Sequence, residues 1–390
     1  MDSEDIKMTL MQGNREQILG CIFGGALGDA LGYPVEFMDE AVLFATYGPQ
    51  GITELELDKK TGKALISDDT QMTLFTANGL LSGESAGKMK KSHWKPRNAV
   101  AAAYWDWLAT QKYASHGITP DFDDVEGNVC WLVYVPELYD MRAPGNTCLS
   151  ALNERGEDLD STEDYIEARI NDSKGCGGVM RVAPLALKFH GNIKWLDKEA
   201  AQIAAITHGN SLGYLSAAVL VHIINRLAYP IGQENLLSII VEAKDTVADL
   251  YSDDENIEYL KSLIDKAIEL SSNEKDDLEN IHELGQGWVG EEALAIAIYC
   301  SLKYQTDFLN GIRAAVNHGG DSDSTGSITG QILGTLLGYS NIPKSWLNNL
   351  ELFDVILELS NDLYEGCHMQ ASSSFYDMEW ERKYSENKWK

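Results

Sequence analysis

Ile18-Leu19-Gly20-Cys21-Ile22-Phe23-Gly24-Gly25-Ala26-Leu27-Gly28-Asp29-Ala30-Leu31-Gly32 places apolar side chains at three- and four-residue steps. Ile18, Leu19, Ile22, Phe23, Ala26, Leu27, Ala30 and Leu31 therefore share one helical face. Gly24, Gly28 and Gly32 recur every fourth residue on the same helix. Glycines so spaced let a second backbone approach closely, so the stretch predicts a tightly packed helix in a helical protein.

The rest of the chain follows the same period. It predicts further helices over Thr70–Leu81, Asn98–Lys112, Lys198–Thr207, Leu212–Leu227, Glu234–Leu250, Ile257–Leu270, Gly290–Lys303, Asp307–Val316, Ser324–Leu337 and Leu350–Tyr364. The one candidate hairpin is Gly51–Ser67, with its turn at Asp58–Gly62. With no Pro/Ser-rich linker and no internal repeat, the reading is one all-α domain. Its body spans residues 15–366, with an N-terminal extension over 1–14 and an aromatic, charged tail over 367–390. The tail either covers core or meets a partner, and covering core is favoured. The acidic stretch Asp245–Asn280 reads as a solvated helical pair.

Of the 390 residues, 31 are basic and 60 acidic, giving a net charge of −29. That excess disfavours nucleic acid and anionic membrane as partners, since both need a positive face. It leaves room for an anionic ligand held by backbone amides or cations. The apolar stretch Leu215–Ile231 is interrupted by His222, Asn225 and Arg226 and reads as a buried helix. Six scattered cysteines without a C-x-x-C pair, and an acidic start where a signal peptide would be basic, point to the cytoplasm.

Two acidic clusters carry the chemistry. Ser67-Asp68-Asp69-Thr70 sits directly before a helix, and Gly319-Gly320-Asp321-Ser322-Asp323-Ser324-Thr325-Gly326 precedes another. A cap needs only one such residue, whereas adjacent carboxylates with hydroxyls form a hard oxygen set suited to Mg²⁺, Mn²⁺ or Ca²⁺. The spacing alone fits two capped helices with acidic turns equally well. The glycine-rich Ser173-Lys174-Gly175-Cys176-Gly177-Gly178-Val179-Met180-Arg181 lacks P-loop order; it reads either as amides turned toward a phosphate or as a tight interhelical turn. Arg142-Ala143-Pro144-Gly145-Asn146-Thr147 enters a helix with the same ambiguity. His282-Glu283-Leu284-Gly285-Gln286 lacks the second histidine of a zinc-protease motif, and Asp253-Asp254-Glu255 lacks EF-hand spacing.

Read in order, these motifs resemble the ADP-ribosylglycohydrolase family. They join Gly24–Gly32, Pro34-Val35-Glu36-Phe37 and Ser67–Met72 to Arg142–Thr147, Gly175–Arg181 and Thr207-His208-Gly209, then to Trp288-Val289, Glu291–Leu294 and Asn317–Ser324. The resemblance covers Gly20 to Gly338. It implies a single-domain orthogonal helical bundle with a dinuclear metal cleft, and two Mg²⁺ or Mn²⁺ ions held by Ser67, Asp68, Asp69, Asp321, Asp323 and Ser324. It implies catalytic roles for Glu36, Asp69 and Asp321. Ser173, Gly175, Gly177, Gly178, Met180, His208, Gly145 and Gly320 would surround ADP-ribose, and Asp29 would brace the first helix. Cys176 stands where some members carry Asn, and Asn210 where some carry a second His. The implied activity is metal-dependent removal of ADP-ribose from a modified protein or other conjugate. An acidic cleft tips the acceptor toward arginine. Serine-linked, free or nucleic-acid-linked ADP-ribose is the alternative, as is a non-catalytic or immunity-type binder on the same fold.

Overall fold

The computed structural model describes residues 3–90, 94–122, 128–156, 159–371 and 374–388. Of the expected N-terminal extension, residues 1–2 and the side chains of 3–13 lie outside it; of the tail, residues 372–373 and 389–390 do.

Helix α1 (Ser3–Gly32) contains the glycine stretch, and α2 (Glu40–Tyr47) follows a short 3₁₀ turn at Tyr33–Val35. Next come α3 (Asp68–Lys90), α4 (Pro96–Ser115), α5 (Asn146–Arg155), α6 (Ala183–Lys188), α7 (Ile193–Ala205) and α8 (Ser211–Ala228). The second half holds α9 (Leu236–Leu250), α10 (Ile257–Ser271), α11 (Asp277–Leu284), α12 (Gly290–Lys303), α13 (Phe308–Val316) and α14 (Ser322–Leu337). The chain closes with α15 (Lys344–Asn349), α16 (Phe353–Glu365) and α17 (Met378–Tyr384). The architecture is all-α and single-domain.

The closest helix pair is α1 with α14. A Cβ placed on Gly24 would lie 2.2 Å from the carbonyl oxygen of Gly330, and one on Gly28 would lie 2.0 Å from that of Gly326. Gly20 meets Gly334 and Gly32 meets Ser322 in the same way, at 2.1 and 2.3 Å. The helices are thus antiparallel, with three glycine pairs in register every fourth residue and Gly32 against Ser322 continuing the row. This register has a functional consequence: the N-terminus of α14, bearing Asp321 and Asp323, lies at the C-terminus of α1, just before Glu36.

Around this seam α7 packs on α8, α3 on α4, and α12 on α10, α13 and α14. The stretches Asn14–Val35 and Ser211–Ala228 are long and apolar enough to cross a membrane, yet 89% and 94% of each is buried within the fold. The acidic pair α9–α10 is solvated on one side only, since Ile239, Ile240, Leu260 and Ile264 are buried. The tail covers core: Trp380 and Tyr384 are buried, and Lys383 and Tyr384 both bond the Asp362 carboxylate of α16.

The expected hairpin does not form. Asp58 closes its turn, donating from N to Lys63 O at 2.8 Å, and its carboxylate accepts from the amides of Lys60 and Thr61. The flanks then find partners elsewhere. Asn317 takes both backbone groups of Ile52, at 2.7 and 2.9 Å, while Ala64 bridges Leu350. That pairing also delays α16 to Phe353, after Leu352 at φ +58°. Helices α2 and α11 are too short for their periodicity to stand out in the sequence.

Candidate active site

Six carboxylates converge where α1, α3 and α14 meet: Asp29, Glu36, Asp68, Asp69, Asp321 and Asp323, none more than 7% exposed. The two sequence clusters touch directly. Ser324 Oγ donates to Asp69 Oδ1 at 3.3 Å across 255 residues, and the Ser67 hydroxyl bonds Asp323. Each cluster does cap its helix, with the Asp321 carboxylate accepting from Ser324 N. Capping and convergence coexist. One oxygen each of Glu36, Asp321 and Asp323 lie within 4.8 Å of one another.

A layer of anchors holds these acids. Asp29 accepts from the amides of Ser67 and Thr70, at 3.0 and 3.1 Å, and from the Thr70 hydroxyl. It therefore fixes the Ser67–Thr70 turn more than it braces its own helix. Asp68 accepts from Gly145 N at 3.1 Å and donates from its own N to Arg142 O at 2.9 Å. Arg142 in turn clamps Glu351 at 3.2 and 3.0 Å. The motif containing Arg142 was visible in the sequence, but its partner lies 209 residues away and carries no signal.

The acids form the base of a cavity of about 330 Å³ whose walls carry five carboxylates and, among the described residues, no lysine or arginine. Burial and mutual repulsion push their pKa values up. Asp29 reaches about 7 and Glu36 about 10, chiefly through burial and then the charge of Asp323. Asp68, Asp69 and Asp321 rise well above the usual carboxylate range for the same reasons, and Asp323 rises too. Arg181, behind the wall, lowers Asp68 but does not outweigh burial. So many buried carboxylates cannot all be charged without cations. Asp69 Oδ2 and Glu36 Oε2 have no hydrogen-bond partner among the described residues. An all-oxygen set with buried, unpartnered carboxylate oxygens fits divalent cations of the Mg²⁺ or Mn²⁺ kind.

The facing wall is the glycine loop. It is pinned by Cys176 N to Trp288 O at 3.2 Å and Gly290 N to Lys174 O at 2.7 Å. Gly175 and Gly177 lie flat against His208, where added Cβ atoms would stand 3.1 Å from its ring. His208 is held neutral, its pKa lowered to about 3 by burial and by Arg181. Thr207 Oγ1 accepts from Arg181 and lies 2.8 Å from His208 Nδ1, while the other ring nitrogen, Nε2, lies beside Gly175. Cys176 enters the cavity, and its Sγ donates to Asp321 Oδ2 at 2.8 Å. Phe37 and Trp288 stack at 5.9 Å between ring centres, both solvent-exposed, as part of the cavity lining.

Of the residues singled out from sequence, Glu36, Asp68, Asp69, Gly145, Gly175, Gly177, Met180, His208, Asp321, Asp323 and Ser324 line the cavity. The others stand one layer back. Ser67 is fully buried, Ser173 Oγ bonds Thr147 Oγ1 and the Gly175 amide, Gly178 lies under Ala204 and Gly213, and Gly320 abuts the Gln286 backbone. The sequence reading gave no role to Phe37, Trp288, Arg142 or Arg181, although each lies in a motif it quoted.

Comparison with known proteins agrees with this geometry. The ADP-ribosylglycohydrolase family model matches residues 11–373. The chain is 24% identical to the ADP-ribosylhydrolase ARH3 of Mus musculus, over 88% of this chain and 90% of that one. A 62-residue stretch, 16% of this chain and 17% of the relative, is 47% identical to the ADP-ribosylarginine hydrolase Tri1 of Serratia proteamaculans. A solved chain described as an ADP-ribosylglycohydrolase-related protein complex shares the fold, with a TM-score of 0.61 at 23% identity over 91% of this chain and 99% of that one. An acidic cleft seated on a glycine-packed helix pair thus coincides with a family match over nearly the whole chain, which belongs to the ADP-ribosylglycohydrolase family.

Proposed function

We propose that this ADP-ribosylglycohydrolase cleaves the N-glycosidic bond of mono-ADP-ribosylarginine on protein, using two divalent cations, Mg²⁺ or Mn²⁺, and that it works in the cytoplasm. The observation that carries the reading is the cavity base of buried carboxylates, two of their oxygens unpartnered, with no cationic residue in the wall among the described residues. Ser67, Asp68, Asp69, Asp321, Asp323 and Ser324 would hold the cations, which when bound supply Lewis-acid polarisation and orient the ribose hydroxyls.

The chain's own groups do the rest. Helix α5 begins at the cavity with Gly145 as an N-cap that makes no side-chain bond, so its first amides are free to take a pyrophosphate. With Nδ1 accepting from the Thr207 hydroxyl, His208 would offer Nε2–H to a ribose or phosphate oxygen. With cations bound to relieve the repulsion that otherwise keeps it protonated, Glu36, whose Oε2 has no partner among the described residues, would take a proton from attacking water and return one to the departing group. Positive charge growing on the sugar is favoured by the surrounding acids. The exposed faces of Phe37 and Trp288 suit a flat cation such as guanidinium, which together with the acidic cavity favours arginine as acceptor.

The test is release of free ADP-ribose from arginine-linked and serine-linked peptides, each with Mg²⁺ and with EDTA. Metal-dependent release from the arginine-linked peptide is expected. Release from the serine-linked peptide alone reassigns the linkage, and release from neither favours a binding or immunity role. Asp321→Asn should abolish turnover with helicity intact, and wild-type turnover in that variant would refute the assignment.

A further inference from the structure

Cys176 is not needed for the reaction just described, yet its sulfur sits in the reaction cavity. Of the six cysteines it alone is half-buried, the other five being buried. Its Sγ lies 2.8 Å from Asp321 Oδ2 and feels the charge of Asp69. Asp69 is 2% exposed and lines the same cavity, as does Glu36, and Asp69 Oδ2 and Glu36 Oε2 have no hydrogen-bond partner among the described residues. A sulfur and several carboxylate oxygens thus face one space.

Oxygen-only sets favour hard cations, but a thiolate among carboxylates favours Zn²⁺ and its heavier relative Cd²⁺. A tetrahedral zinc ion holds sulfur at about 2.3 Å and oxygen at about 2.0 Å, which sets the two roughly 3.5 Å apart. That is within 1 Å of the present hydrogen-bonded separation, a change that rotation of the Asp321 carboxylate can supply. We propose that Cys176 and Asp321 form a mixed sulfur–oxygen site that captures thiophilic divalent cations in competition with the hard cations of hydrolysis; the competition, though not the capture, rests on the metal-centre reading above. On binding, the Cys176 S–H bond is replaced by a sulfur–metal bond and the proton leaves to buffer. The cation keeps its charge, so no oxidant or reductant is involved.

Titration of the whole chain with Cd²⁺ alone should raise an ultraviolet sulfur-to-cadmium charge-transfer band that saturates at one ion per chain. Cys176→Ser should lose the band, and Asp321→Asn should weaken Cd²⁺ binding about 10-fold or more. A band that survives in Cys176→Ser, or none in the wild type, overturns the proposal. Should Cys176→Ser fail to fold, alkylation of the wild type by iodoacetamide, read by peptide mass, replaces it. Zn²⁺ or Cd²⁺ should protect Cys176 where equal Mg²⁺ does not, and equal rates overturn the proposal. These readouts need no turnover. A cadmium band without Mg²⁺-dependent ADP-ribose release would sustain the soft site and refute the hydrolase reading, and release without a band would do the reverse.

Discussion

The α1–α14 seam and the acidic cavity at its end, where α3 joins the same two helices, are built on opposite principles. In the seam, backbone meets backbone with nothing between, and Gly24 and Gly330 leave no room for a single carbon. At the cavity, six carboxylates crowd and, among the described residues, no cation stands in the wall and two of the oxygens have no partner. The first region is saturated with contacts and the second is short of them. The lesson is that rigidity in one place holds repulsion in another. Antiparallel glycine registry fixes where Asp321 and Asp323 stand relative to Glu36, so their mutual repulsion cannot be relieved by drifting apart.

The sharpest way to break this contrast is to fill the seam. Gly330→Ala would put Cβ 2.0 Å from Gly24 O, which no side-chain adjustment relieves. A loss of about 3 kcal/mol or more is expected, with metal binding lost as the clusters separate. Gly232→Ala, which meets nothing within 4 Å, should change stability by less than about 0.5 kcal/mol. Thermal unfolding of both checks the pair, and equal effects would deny the seam its role.

At the cavity the sign reverses. Without divalent ions, Asp69→Asn removes a buried acid whose charged form is disfavoured by burial and by the neighbouring carboxylates, and should leave the melting temperature equal or higher. With Mg²⁺ or Mn²⁺ at about 100 times the dissociation constant, the wild type should gain about 2.7 kcal/mol for each ion bound, and the variant little. Melts with metal and with EDTA decide it.

The smallest effect concerns the wall. The His208 pKa falls from the usual 6.5 to about 3 on folding, so between those values the unfolded chain binds the extra proton. Stability therefore falls as pH drops through this window. His208→Gln should lose less between pH 7 and pH 5 than the wild type, as measured by urea midpoints. An equal loss would mean that His208 is charged in the fold and partly neutralises the acids.

Much of this was legible beforehand. The long helices announce themselves through apolar periodicity, and the acidic clusters through carboxylates in excess of what a cap needs. The short helices α2 and α11 span too few turns to show a period. The Gly51–Ser67 segment has a turn but no hairpin, because its flanks bond Asn317 and Leu350 far along the chain. The matching glycines of α14, Gly326, Gly330 and Gly334, were readable as a second four-residue repeat; pairing them with α1 predicts the seam.

By itself, then, the sequence determined helix content, the small-residue face of α1 and an oxygen-rich donor set, because these are local properties of residue type and spacing. Only the tertiary structure decided that the two clusters are one centre, that Asp29 and Arg142 hold it, and that Cys176 enters it. Those facts depend on the registry of helices hundreds of residues apart, which short-range pattern does not encode.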